Sequence, residues 1–433
     1  MSRVVVIGGG FGGLASAARL AKLGHEVTLL EQGSTLGGAV GFVERDGFRW
    51  DTGPTSTLLP AVVRDLFRKS GRPLERELEL VAQPVIREHR FEDETSVQLP
   101  GGSRAAQLAA FEALEPGLGT AWCDFVQSYA DDWEVVRKEF LERPWLPGVA
   151  DKAVTARLFT RESIAKRLKK TFKDERLRLV AGHPFVLGGH DLRDVPAWLG
   201  VMSYVEQNFG SWTVPGGMGR LSEVLTARMA TRGVGVELGT RASDVVVREG
   251  RAVAVATDRG ELEADVVVCA VDPRGLPALA PHVTRTLPAM PPVVAHLGLE
   301  GDVPDLPPEV VLHGDPMLVL RTGGDAPEGC HAWTLMGRGL LAEDIVTSLA
   351  RHDIDVRAHV KVRVDRSAKT QVQQWGSSPM GVLWQGRDTL RQRLGPRTPV
   401  PGVYAAGAHA NPGSGLPFVG LSASLVAQEV GPA

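Results

Sequence analysis

The sequence predicts an α/β protein whose parallel-stranded core is assembled from separated stretches of chain. Three observations predict it. The amino terminus reads Val4-Val5-Val6-Ile7, then Gly8-Gly9-Gly10-Phe11-Gly12-Gly13, a helical stretch, and Val27-Thr28-Leu29-Leu30-Glu31. That is a buried strand, a glycine turn, a helix, a second strand and an acid. A further strand of buried parallel type, Val266-Val267-Val268-Cys269, returns after a long insertion. The carboxyl terminus then repeats the scheme, with a short strand from Val403 to Ala406, a glycine loop and a helix rich in small residues. Together these predict a discontinuous Rossmann-like domain joined to a mixed α+β substrate domain with a helical lid.

Gly8, Gly10 and Gly13 occupy the glycine positions of G-x-G-x-x-G. The first permits the sharp turn, the second a close approach of backbone to a pyrophosphate, and the third tight packing of helix on strand. The helix then offers free N–H groups and its positive end to phosphate. Leu14, Ala17, Ala18 and Ala21 follow the i, i+3, i+4, i+7 pattern of a buried face, and Gly24 sits where a helix C-cap is expected. Glu31 stands near the ~20-residue spacing at which a carboxylate accepts from a ribose 2′-OH. An acid there repels a 2′-phosphate, which leaves NAD or the ADP half of FAD.

Beyond Glu31, Gln32 leads to a second glycine pair, Gly37-Gly38, that brings the chain past the same ligand. Phe48-Arg49-Trp50-Asp51-Thr52-Gly53-Pro54-Thr55 reads as an aromatic strand closed by a Gly-Pro turn; alone it would pass for an ordinary hairpin corner. Residues 61–70 and 105–145 read as helices, with Trp122, Trp133, Phe140 and Trp145 supplying apolar surface. Residues 157–178 are strongly basic with interleaved apolar residues, a composition that fits an amphipathic helix on an anionic membrane or the solvated outer face of a lid. A helix over 221–230, a strand at 235–238 and a β-meander over 242–270 follow. The proline-rich stretch 281–310 reads as a crossing to a second substrate-domain segment, roughly 292–390, that mixes strands with one helix near 341–351.

A net charge of −3 over 433 residues gives no electrostatic case for nucleic acid. Cys123, Cys269 and Cys330 are widely spaced, which supports neither a disulfide framework nor a metal site. With no apolar run long enough to span a bilayer and the first strand beginning by Arg3, a cytoplasmic protein is expected, with peripheral contact on the inner membrane face left open.

The amino-terminal fingerprint with its second glycine pair resembles the flavoprotein superfamily of amine oxidases, protoporphyrinogen oxidase and phytoene desaturase. Three stretches are similar to the phytoene desaturase group in particular: residues 48–55, Gly210-Ser211-Trp212-Thr213-Val214-Pro215-Gly216-Gly217-Met218, and Gly407-Ala408-His409 through Gly415-Leu416-Pro417. The resemblance implies FAD, held non-covalently. Gly8, Gly10 and Gly13 would hold the pyrophosphate and Glu31 the adenosine ribose. Gly37 and Gly38 would pass beneath the cofactor, and Val245 would meet adenine through its backbone. Gly407, Gly415, Leu416 and Pro417 would lie against the isoalloxazine. Phe11, Gly12, Gln32, Gly53, Pro54, Thr55 and Ala408 complete the expected contacts. The resemblance divides the chain into an FAD-binding domain of residues 1–75, 211–280 and 391–433, and a substrate and lid domain of residues 76–210 and 281–390. Ala39 stands where many relatives carry arginine, and the chain is shorter than typical carotene desaturases.

No Ser-His-Asp arrangement, metal-ligand spacing or catalytic carboxylate pair can be placed. His409, in the expected flavin loop, is the candidate for acting on substrate or polarising the ring, against a plain hydrogen-bonding role; His183 and His190 in the lid pose the same choice. The first functional expectation is removal of hydride and a proton from an apolar isoprenoid or polyene substrate. The alternatives are an oxidase of an amine or small specialised metabolite, and a non-catalytic FAD-binding protein working at a membrane. No second G-x-G-x-x-G is present for NADPH, so oxygen or a quinone is the expected electron acceptor.

Overall fold

The structure is a computed structural model and describes residues 1–144 and 151–433; Trp145 lies outside the described residues. Its nucleotide half is a five-stranded sheet. Strand β1 (Arg3–Ile7) lies at the centre, β2 (Glu26–Glu31) and Gly235–Leu238 on one side, Val266–Cys269 and Val403–Ala405 on the other. All four pairings are parallel, with Val5 opposite Thr28 and Val267. Parallel strands are covered on both faces, hence the unbroken valine runs. Helix α1 (Phe11–Lys22) links β1 to β2 and is buried continuously from Phe11 to Leu20. Its glycines and alanines let the C-terminal helix Leu416–Val430 and the helix Arg220–Thr231 pack close. Gly24, just past the helix, adopts φ +97°, a conformation that favours glycine.

A three-stranded antiparallel meander of Ala242–Arg248, Arg251–Thr257 and Gly260–Glu263 lies beside this sheet. A seven-stranded mixed sheet forms the second half. From edge to edge it runs Val360–Arg366, Val293–Glu300, Cys330–Arg338, Met317–Gly324, Glu309–Leu312, Val85–Arg90 and Ser96–Pro100. The proline-rich crossing expected over 281–310 therefore contains an eight-residue strand, Val293–Glu300, inside the sheet. His296-Leu297-Gly298-Leu299 alternate too weakly to announce it, because both faces are buried.

Helices between residues 104 and 209 form the lid. Their core stacks Phe111, Trp122, Phe125, Tyr129 and Phe172. The basic stretch 157–178 is not one amphipathic helix. It is divided among Lys152–Leu158, Ile164–Thr171 and Glu175–Leu187, the last two opened by N-caps in which Ser163 and Asp174 side chains accept from backbone N–H groups. Its apolar residues Leu158, Ile164, Leu168, Phe172 and Leu177 are in the lid core, leaving no apolar face outward. Arg157, Arg167 and Arg176 pair with Asp132, Glu162 and Asp174 at 2.5, 2.6 and 2.7 Å. Among the described residues no helix is long and apolar enough to cross a membrane, and no cluster of ligating side chains could hold a metal.

Candidate functional site

A cavity of about 840 Å³ opens at the carboxyl ends of the parallel strands, where open α/β sheets bind ligands. It has two parts with different walls. The nucleotide part is walled by backbone. Gly8 turns with φ +101°, and the site of a Cβ on Gly13 lies 1.8 Å from the Gly8 carbonyl oxygen, so helix and turn touch there. A Cβ on Gly12 would stand 2.9 Å from Gly407 Cα, and one on Gly38 2.9 Å from Gly10 Cα. Gly37 N donates to the Gly9 carbonyl at 2.8 Å. Three glycine segments thus meet at van der Waals distance around one space.

Two helices begin at that space, α1 after Gly10 and Leu416–Val430 after Gly415, and neither has a side-chain cap. Their free N–H groups are suited to anionic oxygens. Glu31, at the end of β2, accepts from Gly9 N at 2.8 Å and Gly33 N at 2.7 Å, which fixes its carboxylate at the cavity wall. This cradle of glycines, uncapped helix ends and a strand-end acid fits a dinucleotide with a ribose hydroxyl pair.

Of the residues singled out in the sequence, Gly8, Gly10, Phe11, Gly12, Glu31, Gln32, Gly38, Gly53, Pro54, Gly407, Ala408, His409, Gly415 and Leu416 line the cavity. Gly13, Gly37, Thr55 and Pro417 stand behind its wall: Gly13 and Gly37 hold the loops together, the Thr55 carbonyl accepts from Thr213 Oγ1 at 3.0 Å, and Pro417 opens its helix. Val245 does not line the cavity. Its side chain is in the core of the meander, and its N–H is taken by Asp244 Oδ1 at 2.7 Å. The wall at that level is Thr240, Arg241 and Ala242. A register shift between Ala242 and Asp244 separates the exposed start of the strand from its buried middle, and strand pattern alone does not locate it.

His409 has both ring nitrogens occupied. Nε2 donates to the Ser378 carbonyl at 3.1 Å, and Nδ1 accepts from Arg274 at 3.4 Å. Burial lowers its pKa. A neutral imidazole fixed at both ends holds the loop after Gly407 and has no nitrogen left for acid–base work in this arrangement. His190 also faces the cavity, its Nδ1 accepting from Trp384 N at 3.3 Å, while His183 faces a separate, smaller hollow.

The second part of the cavity is walled by side chains. Trp133, Phe140 and Leu141 come from the lid, Phe185 and Leu187 from the helix Glu175–Leu187, and Trp198, Leu199 and Met202 from the turn and helix that follow. Val294 and Met336 come from the seven-stranded sheet. The Trp198 ring meets Trp384 and Phe140 edge to face, each at 6.1 Å between centroids. These residues are far apart in sequence and carry no shared spacing, so only the tertiary structure shows them as one surface. Among the described residues the wall has two carboxylates, Glu31 and Asp272. Both are at the nucleotide end, and Asp272 is held by Arg274 through two bonds of 2.8 Å. Below the wall, Asp51 accepts from Met218 N at 3.0 Å and Gly219 N at 2.8 Å, and burial pushes its pKa up to about 6.

A parallel sheet with a glycine cradle at its carboxyl edge and an adjoining aromatic cavity is the frame of a dinucleotide-binding protein. The chain belongs to the flavin containing amine oxidoreductase family, whose model matches residues 11–431. It is 26% identical over 277 residues to a 4,4′-diapophytoene desaturase (4,4′-diaponeurosporene-forming) of Staphylococcus aureus strain COL, a match covering 62% of this chain and 55% of that protein. The chain thus spans about half the length of the curated relatives it matches. A redesigned putrescine oxidase superimposes with TM-score 0.67 at 16% identity, over 99% of this chain and 98% of that one. Cyclohexylamine oxidase from Brevibacterium oxydans IH-35A does so with TM-score 0.65 at 17% identity, over 99% of each chain. At these identities the two structures share the fold.

Proposed function

We propose that this enzyme removes hydride and a proton from an elongated apolar substrate of isoprenoid or polyene type. The observation that carries the reading is the aromatic and aliphatic wall of the second cavity part, which among the described residues has no carboxylate. A buried ammonium without a carboxylate or a full set of hydrogen bonds costs several kcal/mol. A hydrocarbon chain in the same place gains about 25 cal/mol for each Å² of apolar surface removed from water.

FAD, when bound, takes up the hydride at its ring N5. The chain's own residues supply binding and orientation. Gly8, Gly10, Gly12 and the uncapped start of α1 would hold the pyrophosphate, Glu31 the ribose, and the segment from Gly407 to Leu416 the ring. Trp133, Phe140, Trp198 and Trp384 exclude water and hold the apolar chain. The substrate proton leaves to solvent, and oxygen or a quinone takes the electrons.

Expression in a host that accumulates phytoene tests the reading. New polyene bands in the visible spectrum of the lipid extract are expected. A yellow, FAD-loaded protein that yields no bands and forms peroxide with simple amines overturns it.

A further inference from the structure

Among the described residues three cations face the cavity, and they differ in what balances them. Arg241 is exposed to solvent, and Arg321 is paired with Glu309 at 2.8 Å. Arg393 is 6% exposed and forms no ion pair with a carboxylate among the described residues. Of the other buried arginines, Arg19 pairs with Asp65, Arg87 with Glu206 and Glu309, and Arg228 with Glu77, while Arg366 donates to the Gln374 side chain and is not part of the cavity wall.

An arginine has five N–H donors in a planar fork. In Arg393 one terminal nitrogen donates to the Val382 carbonyl at 2.8 Å and the other to the Pro412 carbonyl at 3.4 Å, while Nε is buried without a partner. The guanidinium carbon lies 4.4 Å from the centroid of the Trp384 ring. The far side is closed by Gly413, where a Cβ would come within 3.0 Å of the guanidinium. Desolvation lowers its pKa to about 10, so it remains a cation at neutral pH. The group therefore sits where the loop after Gly407 meets the aromatic wall, with donors unfilled and charge unbalanced. A buried charge left in this way is costly, and a planar bidentate anion would remove the cost.

We propose that Arg393 is an anion-recognising residue, and that its guanidinium receives the carboxylate of a substrate whose apolar chain lies along Trp384 and Trp198. The inference rests on the apolar-substrate reading and narrows it to an amphipathic acid. A carboxylate at this point fixes how far the chain slides along the wall, and so which carbon–hydrogen bond faces the flavin. The same chemistry has a second source, the negative charge of a reduced flavin ring, and the test separates the two.

The experiment titrates the FAD-loaded enzyme with decanoate, decanol and butyrate, following perturbation of the flavin absorbance. It is repeated with Arg393→Met and Arg393→Lys, with FAD content and midpoint potential recorded for each. Decanoate is expected to bind more tightly than decanol and butyrate. Arg393→Met should weaken decanoate by roughly 30-fold or more, a loss typical of a buried charged partner, leave decanol unchanged and leave the potential unmoved. Arg393→Lys should restore part of the preference for the acid. Equal binding of decanoate and decanol by the parent enzyme overturns the proposal while leaving the apolar reading intact. Arginine-dependent binding of butyrate as tight as that of decanoate supports the anion site and overturns the apolar reading. A shifted potential in Arg393→Met with decanoate binding unchanged assigns the arginine to the cofactor and overturns the proposal.

Discussion

The two parts of the cavity are built on opposite principles. The nucleotide part is shaped by backbone: a Cβ on Gly12 would crowd Gly407 and one on Gly38 would crowd Gly10. The aromatic part is shaped entirely by side chains, delivered by lid helices, the seven-stranded sheet and the segment before the C-terminal loop. A wall of backbone fixes one ligand shape and tolerates no substitution, whereas a wall of side chains can be remodelled without disturbing the fold that carries it. The contrast explains how one family serves unlike substrates with one cofactor.

Gly13→Val attacks the backbone wall and should have the largest effect. Its Cβ would fall 1.8 Å from the Gly8 oxygen, and the Gly8 carbonyl carbon is 3.0 Å away, so α1 must move off β1. A loss above about 4 kcal/mol is expected, read as absence of soluble FAD-loaded protein or a collapse of Tm. Normal FAD content in this variant would break the comparison.

Trp198→Ala attacks the other wall. The ring is largely buried against Trp384 and Phe140, and its removal should cost about 3 kcal/mol of stability. FAD content should remain that of the parent enzyme, while binding of long alkyl ligands weakens. Loss of FAD together with ligand binding would show that the two walls are not independent.

Asp51 sharpens the comparison at the seam, since it anchors the Met218–Gly219 turn beneath the cavity. Burial raises its folded pKa to about 6, above the ordinary carboxylate range. The folded state therefore binds the proton more tightly than the unfolded state, and the contribution of Asp51 to stability falls as pH rises from about 4 to about 6, then stays level. The span is on the order of 3 kcal/mol. Urea unfolding across this range should show that slope in the parent enzyme and a flatter profile in Asp51→Asn; identical profiles would contradict the assignment.

The same contrast governs what can be read from the sequence. Gly8, Gly10, Gly13 and Glu31 are legible because each meets a local backbone demand at fixed spacing, and the strand at 266–269 because a buried valine run signals it. Val245 enters the expected site through the resemblance alone, and the register shift between Ala242 and Asp244 is not visible in a strand pattern. The composition of 157–178 alone leaves an amphipathic helix and a solvated lid face both open, because it averages over three helices, although Ser163 and Asp174, the caps that separate two of them, stand in the sequence. Trp198, Trp384 and Arg393 had no signal to offer: their meaning lies in contacts between distant segments, and burial without a carboxylate is a property of the folded chain alone.

The most direct test of the central claim is anaerobic reduction of the enzyme-bound flavin, followed at its visible band after mixing with an acyclic isoprenoid in detergent micelles, and separately with putrescine or cyclohexylamine. The account predicts bleaching by the isoprenoid and none by either amine. Bleaching by the amines, with the isoprenoid inert, would contradict it.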